Sequence, residues 1–222
     1  MSVSVIINCY EKEEWLIECV DSVFRQSQQP DEIVIVHDGC KAPAHYAGCK
    51  TLMLPENCGV ARARDIGVQN TTGDHLLFVD GDDVLSPDYI QKMSMCNADI
   101  AYPDLFLWFE HGKYKGRNGI KIAPTATPKT MISFKSIVPV TSLMKRVVYE
   151  TLGGFKQMDV FEDWEFFLRA MEKGFTFKKA QTLLWYRQTK DSRNRVDLGV
   201  RSDVYSRMVS QYYVRNNQLC RK

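Results

Sequence analysis

Residues 76–83 read Leu76-Leu77-Phe78-Val79-Asp80-Gly81-Asp82-Asp83. Four consecutive apolar residues suit a strand buried on both faces of a parallel sheet, and three carboxylates stand at its exit. Carboxylates crowded in this way repel one another unless a cation joins them. In extended backbone, residues two apart point the same way, so Asp80 and Asp82 face one ligand while Gly81 leaves room for close approach. Mg²⁺ or Mn²⁺ takes one or two protein carboxylates and completes its shell with water and phosphate oxygens. That chemistry fits a nucleotide diphosphate. The alternative is an acidic turn in which Asp82 or Asp83 only caps the next helix.

Upstream, Val3 to Ile7 is another apolar run rich in β-branched residues, ending at Asn8. From Glu11 to Gln26, Trp15, Leu16, Cys19, Val20, Val23 and Phe24 recur at helical spacing, with acids crowding the first turn. Ile33 to Val36 and Thr51 to Leu54 are further strands, Val60 to Gln69 a helix, and Leu76 to Val79 the fourth strand. Alternating β and α predicts an α/β fold with a mostly parallel central sheet flanked by helices. Ligands bind such sheets outside the carboxyl ends of the strands, which here read NCY, HDG and DGDD.

Downstream, Ser86 and Pro87 make a cap and first-turn pair for a helix reaching Met95. From Tyr102 to Thr130, aromatics mixed with Gly112, Gly116, Gly119, Pro124 and Pro128 indicate strands and loops of a second subregion, where we place the acceptor. Trp164, Phe167, Leu168 and Met171 fall on one helical face, and Gly174 is a stop signal. Val200 to Cys220 reads as a terminal amphipathic helix that packs on the body, with interfacial membrane contact as the alternative. The chain is expected to form one domain over 1–222. Within it, 1–100 binds the nucleotide sugar, 101–200 binds the acceptor and 201–222 is a C-terminal helix.

With 45% hydrophobic and 25% charged residues in 222, the composition is ordinary for a globular protein with a sizeable core. Twenty-nine basic against 27 acidic residues leave a formal charge of +2, too little field to argue for a nucleic-acid partner. The N-terminus MSVSVIINCYEKEEWL has no basic leader and its apolar run breaks at Asn8, so it reads as neither signal peptide nor membrane span. A cytoplasmic location is the expectation. Seven scattered cysteines without a CxxC pair suit free thiols in a reducing compartment.

Three other segments carry chemistry-bearing residues. His37-Asp38-Gly39 ends the second strand in the same crevice, where Asp38 can accept hydrogen bonds from a base or ribose, although Asp-Gly is also an ordinary turn. Asn57-Cys58-Gly59-Val60-Ala61-Arg62-Ala63-Arg64 enters a helix whose arginines otherwise serve as surface ion-pair partners. Glu162 and Asp163 open the Trp164 helix. They complement the helix dipole, and a carboxylate facing the crevice can also take a proton from an acceptor hydroxyl.

These segments in this order resemble the family 2 inverting glycosyltransferases of the GT-A fold. The resemblance runs through VSVIINCYEKEEWLIECVDSVFRQ, PDEIVIVHDG, NCGVARARDIG, FVDGDDVLSPDYI, TSLMKRVVYETLGGF, FEDWEFFLR and LLWYR, over roughly residues 3 to 187. It implies that Asp38 contacts the uracil or other base, and that Asp80 with Asp82 serves the ribose, the diphosphate and a divalent metal, Mn²⁺ or Mg²⁺. Gly81 lies between those two at the nucleotide sugar. The resemblance makes Asp163 the general base, with neighbouring Glu162 the competitor. Arg64 lies near the donor, and Asn8 and Tyr10 border the nucleotide. The acceptor is a saccharide, a lipid-linked group or a protein. Two departures stand out: His37-Asp38-Gly39 where many relatives have Asp-Asp-Gly, and Thr189 where many have a metal-binding histidine.

The implied reaction is an inverting displacement at the anomeric carbon of a nucleotide-sugar donor. A nucleotidyltransferase would also use such a sheet, but NCYEKEEW is not the Gly-rich basic phosphate loop it needs. A noncatalytic nucleotide-sugar-binding protein is the other rival, and the presence of both Asp163 and DGDD speaks against it.

Overall fold

The computed structural model describes residues 1–39, 46–110, 115–133, 137–188 and 203–212. In chain order the elements are β1 (Val3–Cys9), α1 (Glu13–Phe24), β2 (Glu32–Asp38), β3 (Lys50–Leu54), α2 (Val60–Gln69), β4 (His75–Asp80) and β5 (Val84–Leu85). There follow α3 (Tyr89–Ser94), β6 (Ile100–Phe109), β7 (Gly119–Lys121), α4 (Pro128–Ser133), β8 (Leu143–Lys145), α5 (Arg146–Leu152), α6 (Glu162–Glu172) and β9 (Phe177–Gln188).

The strands join one sheet in the order β3-β2-β1-β4-β8-β6-β9-β5, with β7 paired to β6. β3, β2, β1 and β4 are parallel. Beyond β4 the sheet is mixed: β8 is antiparallel to β4 and β6, β7 to β6 and β5 to β9, while β6 and β9 run parallel. The unbroken apolar runs are explained by burial on both sides. Ile6, Val34, Leu76 and Phe78 enter a core under α2, α5 and α6, while Val5, Ile7, Ile35, Leu77 and Val79 enter another with residues of α1 and α3.

The start of α3 differs from expectation. α3 begins at Tyr89, because Ser86 and Pro87 form a turn in which the Ser86 carbonyl accepts the Tyr89 N–H and its hydroxyl lies 2.7 Å from that of Thr182. Neither Asp82 nor Asp83 caps that helix, whose N-cap is Asp88. The irregular subregion holds β6, whose long pairing with β9 no local period announces. Within the terminal segment, residues 203–212 are helical and pack on the body. Val204, Met208 and Tyr212 are buried, and Tyr205 stacks on Trp164 at 5.3 Å. The described cysteines Cys9, Cys19, Cys49, Cys58 and Cys96 are free thiols, and Cys40 and Cys220 lie outside the described residues.

Candidate functional site

A cavity of about 780 Å³ opens at the carboxyl ends of β1, β2 and β4. It is lined by every residue proposed from the sequence: Asn8, Tyr10, Asp38, Arg64, Asp80, Gly81, Asp82, Glu162 and Asp163. The parallel register explains the first group, since Asn8 at the end of β1 sits opposite Val36 on one side and Asp80 on the other. Both amide atoms of Asn8 are buried without a hydrogen-bond partner. Unpaired buried polar groups are costly, so this amide has both a donor and an acceptor left to satisfy at the cavity.

Arg64 ties the cavity's two halves together. Its side chain projects from α2 and is almost wholly buried, donating to Asp80 at 3.1 Å and to Glu162 at 2.9 Å, 98 residues away. Burial disfavours its charge, but Asp80, Glu162 and Asp163 outweigh burial and hold its pKa above the ordinary arginine value. Arg62, two residues earlier, is exposed, whereas Arg64 is buried, so the surface account fails for Arg64.

The acidic turn divides its three carboxylates. Asp80 pairs with Arg64, Asp82 pairs with Lys12, and Asp83 is buried and accepts the Arg187 backbone N–H at 3.1 Å. Burial, then mutual repulsion, pushes Asp83 well above the usual carboxylate range. Asp82 is also raised, by burial first, with Lys12 opposing and Asp80 adding to the rise. Gly81 is small for a reason the sequence did not reveal: a Cβ there would lie 3.0 Å from the Asn8 carbonyl, which accepts the Gly81 N–H at 2.8 Å. The close approach is to β1.

Among the described residues no group of three or more His, Cys, Asp or Glu side chains converges as a metal centre. Asp83 also borders the cavity, but its carboxylate is buried and accepts the Arg187 N–H, so Asp80 and Asp82 are the two carboxylates of the turn better placed to share an ion. Two carboxylates fit a Mg²⁺ or Mn²⁺ ion whose other positions are filled by phosphate oxygens and water. Thr189, the departure at the expected histidine, lies outside the described residues.

Asp38 is already occupied. Its carboxylate accepts the Cys58 N–H at 2.7 Å and the Gly59 N–H at 3.1 Å, clamping the turn that enters α2. Gly39 belongs to the same clamp, with φ +75° and a Cβ that would meet the Asn57 nitrogen at 2.3 Å. Carboxylate oxygens offer about four acceptor sites, so a base or ribose can still reach Asp38.

The two acids at the start of α6 differ. Glu162 is buried against Arg64, whereas Asp163 is half-buried on the cavity wall and accepts the Trp164 N–H at 2.7 Å. The N-cap residue Phe161 has φ +67°, and Glu11, which also lines the cavity, has φ +52°. Left-handed backbone at a bulky residue costs on the order of 1–3 kcal/mol, and such strain clusters at functional sites.

Sequence reasoning missed Lys12 and gave Arg187 no role. Lys12 was visible as the cation just beyond β1, but its partner lies 70 residues on. Arg187 is buried beneath the acidic turn: its guanidinium donates to the Asp82 carbonyl at 2.9 Å, pairs with Glu110 at 2.6 Å and with Glu18, and lies 3.9 Å from the Trp108 ring centroid. No local pattern distinguishes it from a strand-edge arginine.

The profile of Glycosyl transferase family 2 matches residues 4–153, more than half of the chain. The chain belongs to that family. By membership it is a glycosyltransferase, and the matched span ends ahead of α6, so it contains the acidic turn but neither Glu162 nor Asp163. It is similar to the uncharacterized glycosyltransferase YwdF of Bacillus subtilis (strain 168), 29% identical over 231 residues, covering 95% of this chain and 84% of that one. It is also similar to glycosyltransferase GlyA of Streptococcus pneumoniae serotype 4, 32% identical, but over 49% of this chain and 17% of GlyA. A crystal structure of S. aureus TarS 1-349 in complex with UDP-GlcNAc shares the fold at TM-score 0.67 and 16% identity, over 89% of this chain and 62% of that one. This glycosyltransferase thus carries the α/β GT-A architecture expected from its sequence. No helix among its described residues is long and apolar enough to cross a membrane.

Proposed function

We propose that this family 2 glycosyltransferase moves a sugar from a nucleotide diphosphate donor, a UDP-sugar above all, to a hydroxyl of a saccharide, lipid-linked or protein acceptor, with inversion. The observation that carries this reading is Arg64, which joins Asp80 of the acidic turn to Glu162 and so fixes Asp163 on the same cavity. The complex of the structurally similar TarS with UDP-GlcNAc favours uracil as the base.

In this reading the first hundred residues bind the donor. Asn8, Tyr10 and Asp38 border the nucleoside, and Asp80, Gly81 and Asp82 face the ribose and diphosphate. Asp80 and Asp82 would hold a divalent cation, which would supply charge neutralisation for the departing diphosphate. The acceptor enters along residues 101–200, where Leu105, Leu107 and Tyr186 line the wall. Asp163 takes the proton of the acceptor hydroxyl as its oxygen bonds to the anomeric carbon, and the bond from that carbon to the diphosphate oxygen breaks. Glu162 is less suited, because its carboxylate is spent on Arg64.

A screen of nucleotide sugars for donor hydrolysis and transfer, with and without Mn²⁺, tests the reading. Turnover of one UDP-sugar that depends on the cation is the expected result. Absence of binding and turnover across the panel would contradict it.

A further inference from the structure

We infer that Lys12 holds the cation position on Asp82 while the donor is absent, and turns to the donor's diphosphate when donor and cation arrive together. This rests on the donor-site reading above. The Lys12 ammonium sits on the Asp82 carboxylate, with only 17% of its side chain exposed, inside the cavity and 5.3 Å from the Trp15 ring centroid. The preceding residue, Glu11, stands at φ +52°, so the loop that delivers Lys12 is held in a conformation an L-residue rarely adopts.

The two cations at the acidic turn are not equivalent. Arg64 is buried, planar and bridged between two carboxylates on separate elements, and cannot leave without stranding both. Lys12 is a point charge on a flexible four-carbon stem, which can swing from one anion to another. A divalent ion needs the oxygen that Lys12 occupies, and the two positive charges cannot share it at contact distance. In the free protein the ammonium therefore competes with the metal. A bound diphosphate removes the competition, because its oxygens offer Lys12 a second anion within the same cavity. Cation and nucleotide then strengthen each other's binding, and by linkage the factor is the same in both directions.

Titrations of the whole protein with Mn²⁺ alone, with uridine diphosphate alone and with both, read by calorimetry and by the electron-spin signal of free Mn²⁺, test this. In Lys12→Gln, Mn²⁺ alone should bind about tenfold more tightly than in the parent, a size typical of coupling between sites. Uridine diphosphate alone should bind more weakly, and the coupling between the two should shrink by a similar factor. Lys12→Arg, which keeps the charge, should preserve a coupling. A parent with Mn²⁺-dependent nucleotide binding and a Lys12→Gln variant with the same Mn²⁺ affinity and coupling would overturn the proposal while leaving the donor site standing. A parent that binds neither ligand would overturn both.

Discussion

The two sides of the cavity are built by different means. On the side proposed for the donor, β3, β2, β1 and β4 are parallel neighbours, so their carboxyl ends deliver Asn8, Asp38 and Asp80 by register. On the side proposed for the acceptor the sheet is mixed, β8 is inserted between β4 and β6, and β9 returns from much later in the chain to pair with β6. Arg64 and Arg187 fasten the two sides, one over each flank of the acidic turn. The parallel side is fixed by repeated local units and the mixed side by long-range pairing, and in the proposed reading that difference separates donor binding from chemistry on the acceptor.

Asp163→Asn tests that separation with the largest expected effect. The base acts on the acceptor, so transfer should fall ~10²- to 10⁴-fold, as is typical of lost acid–base catalysis, with donor and metal affinity nearly intact. Transfer kinetics beside calorimetry decide it. Near-parental transfer in Asp163→Asn together with loss in Glu162→Gln would move the role to Glu162.

Next in size is the fastening itself. Arg64→Met leaves Glu162 buried without its cation and should lower stability by about 3 kcal/mol, the scale of a broken buried pair, measured by urea unfolding. An unchanged midpoint would show that the two sides do not depend on this contact.

Asp38→Ala distinguishes a clamp from a ligand contact. Losing hydrogen bonds from two backbone donors to a carboxylate should cost about 2 kcal/mol of stability. Uridine diphosphate affinity should fall while the metal requirement persists. A drop in affinity with unchanged stability would make Asp38 a ligand contact alone.

How much was legible follows the same division. The four parallel strands and α2 could be read from short apolar runs bounded by turn residues, because each is a complete local signal. The turn at Asp80 to Asp83 was legible because three adjacent carboxylates need a physical explanation. The different fates of those three acids were not, since Lys12, Arg64 and Arg187 reach them from positions 70, 16 and 104 residues away. β6 was hidden for the same reason: Pro103 interrupts it at a register shift in the pairing with β9, and its partners cannot be inferred from its own sequence. Between Glu162 and Asp163, helical geometry says only that one faces the crevice, and the burial of Arg64 decides which is engaged.

The smallest effect belongs to the mixed part of the sheet just ahead of β6, where Asp99 accepts the N–H and hydroxyl of Thr176 and pairs with Lys145. The Thr176 backbone bond leads the interactions that bring its carboxyl down to about 2. Its folded pKa lies below the unfolded value of about 3.9, so the contribution is complete above that value and is lost as pH falls through about 2. Solvent screening limits it to ~1 kcal/mol. Asp99→Asn should lose that amount at pH 7 and show a flatter acid limb in thermal unfolding, with transfer unchanged.

The central claim is that the acidic turn holds a diphosphate through a cation on Asp80 and Asp82. Calorimetric titration of uridine diphosphate into the parent and Asp82→Ala, each with and without Mn²⁺, tests it most directly. The parent should bind the nucleotide more tightly with Mn²⁺, and in Asp82→Ala that dependence should vanish. Unchanged Mn²⁺-dependent binding in Asp82→Ala would remove Asp82 from the site and contradict the account.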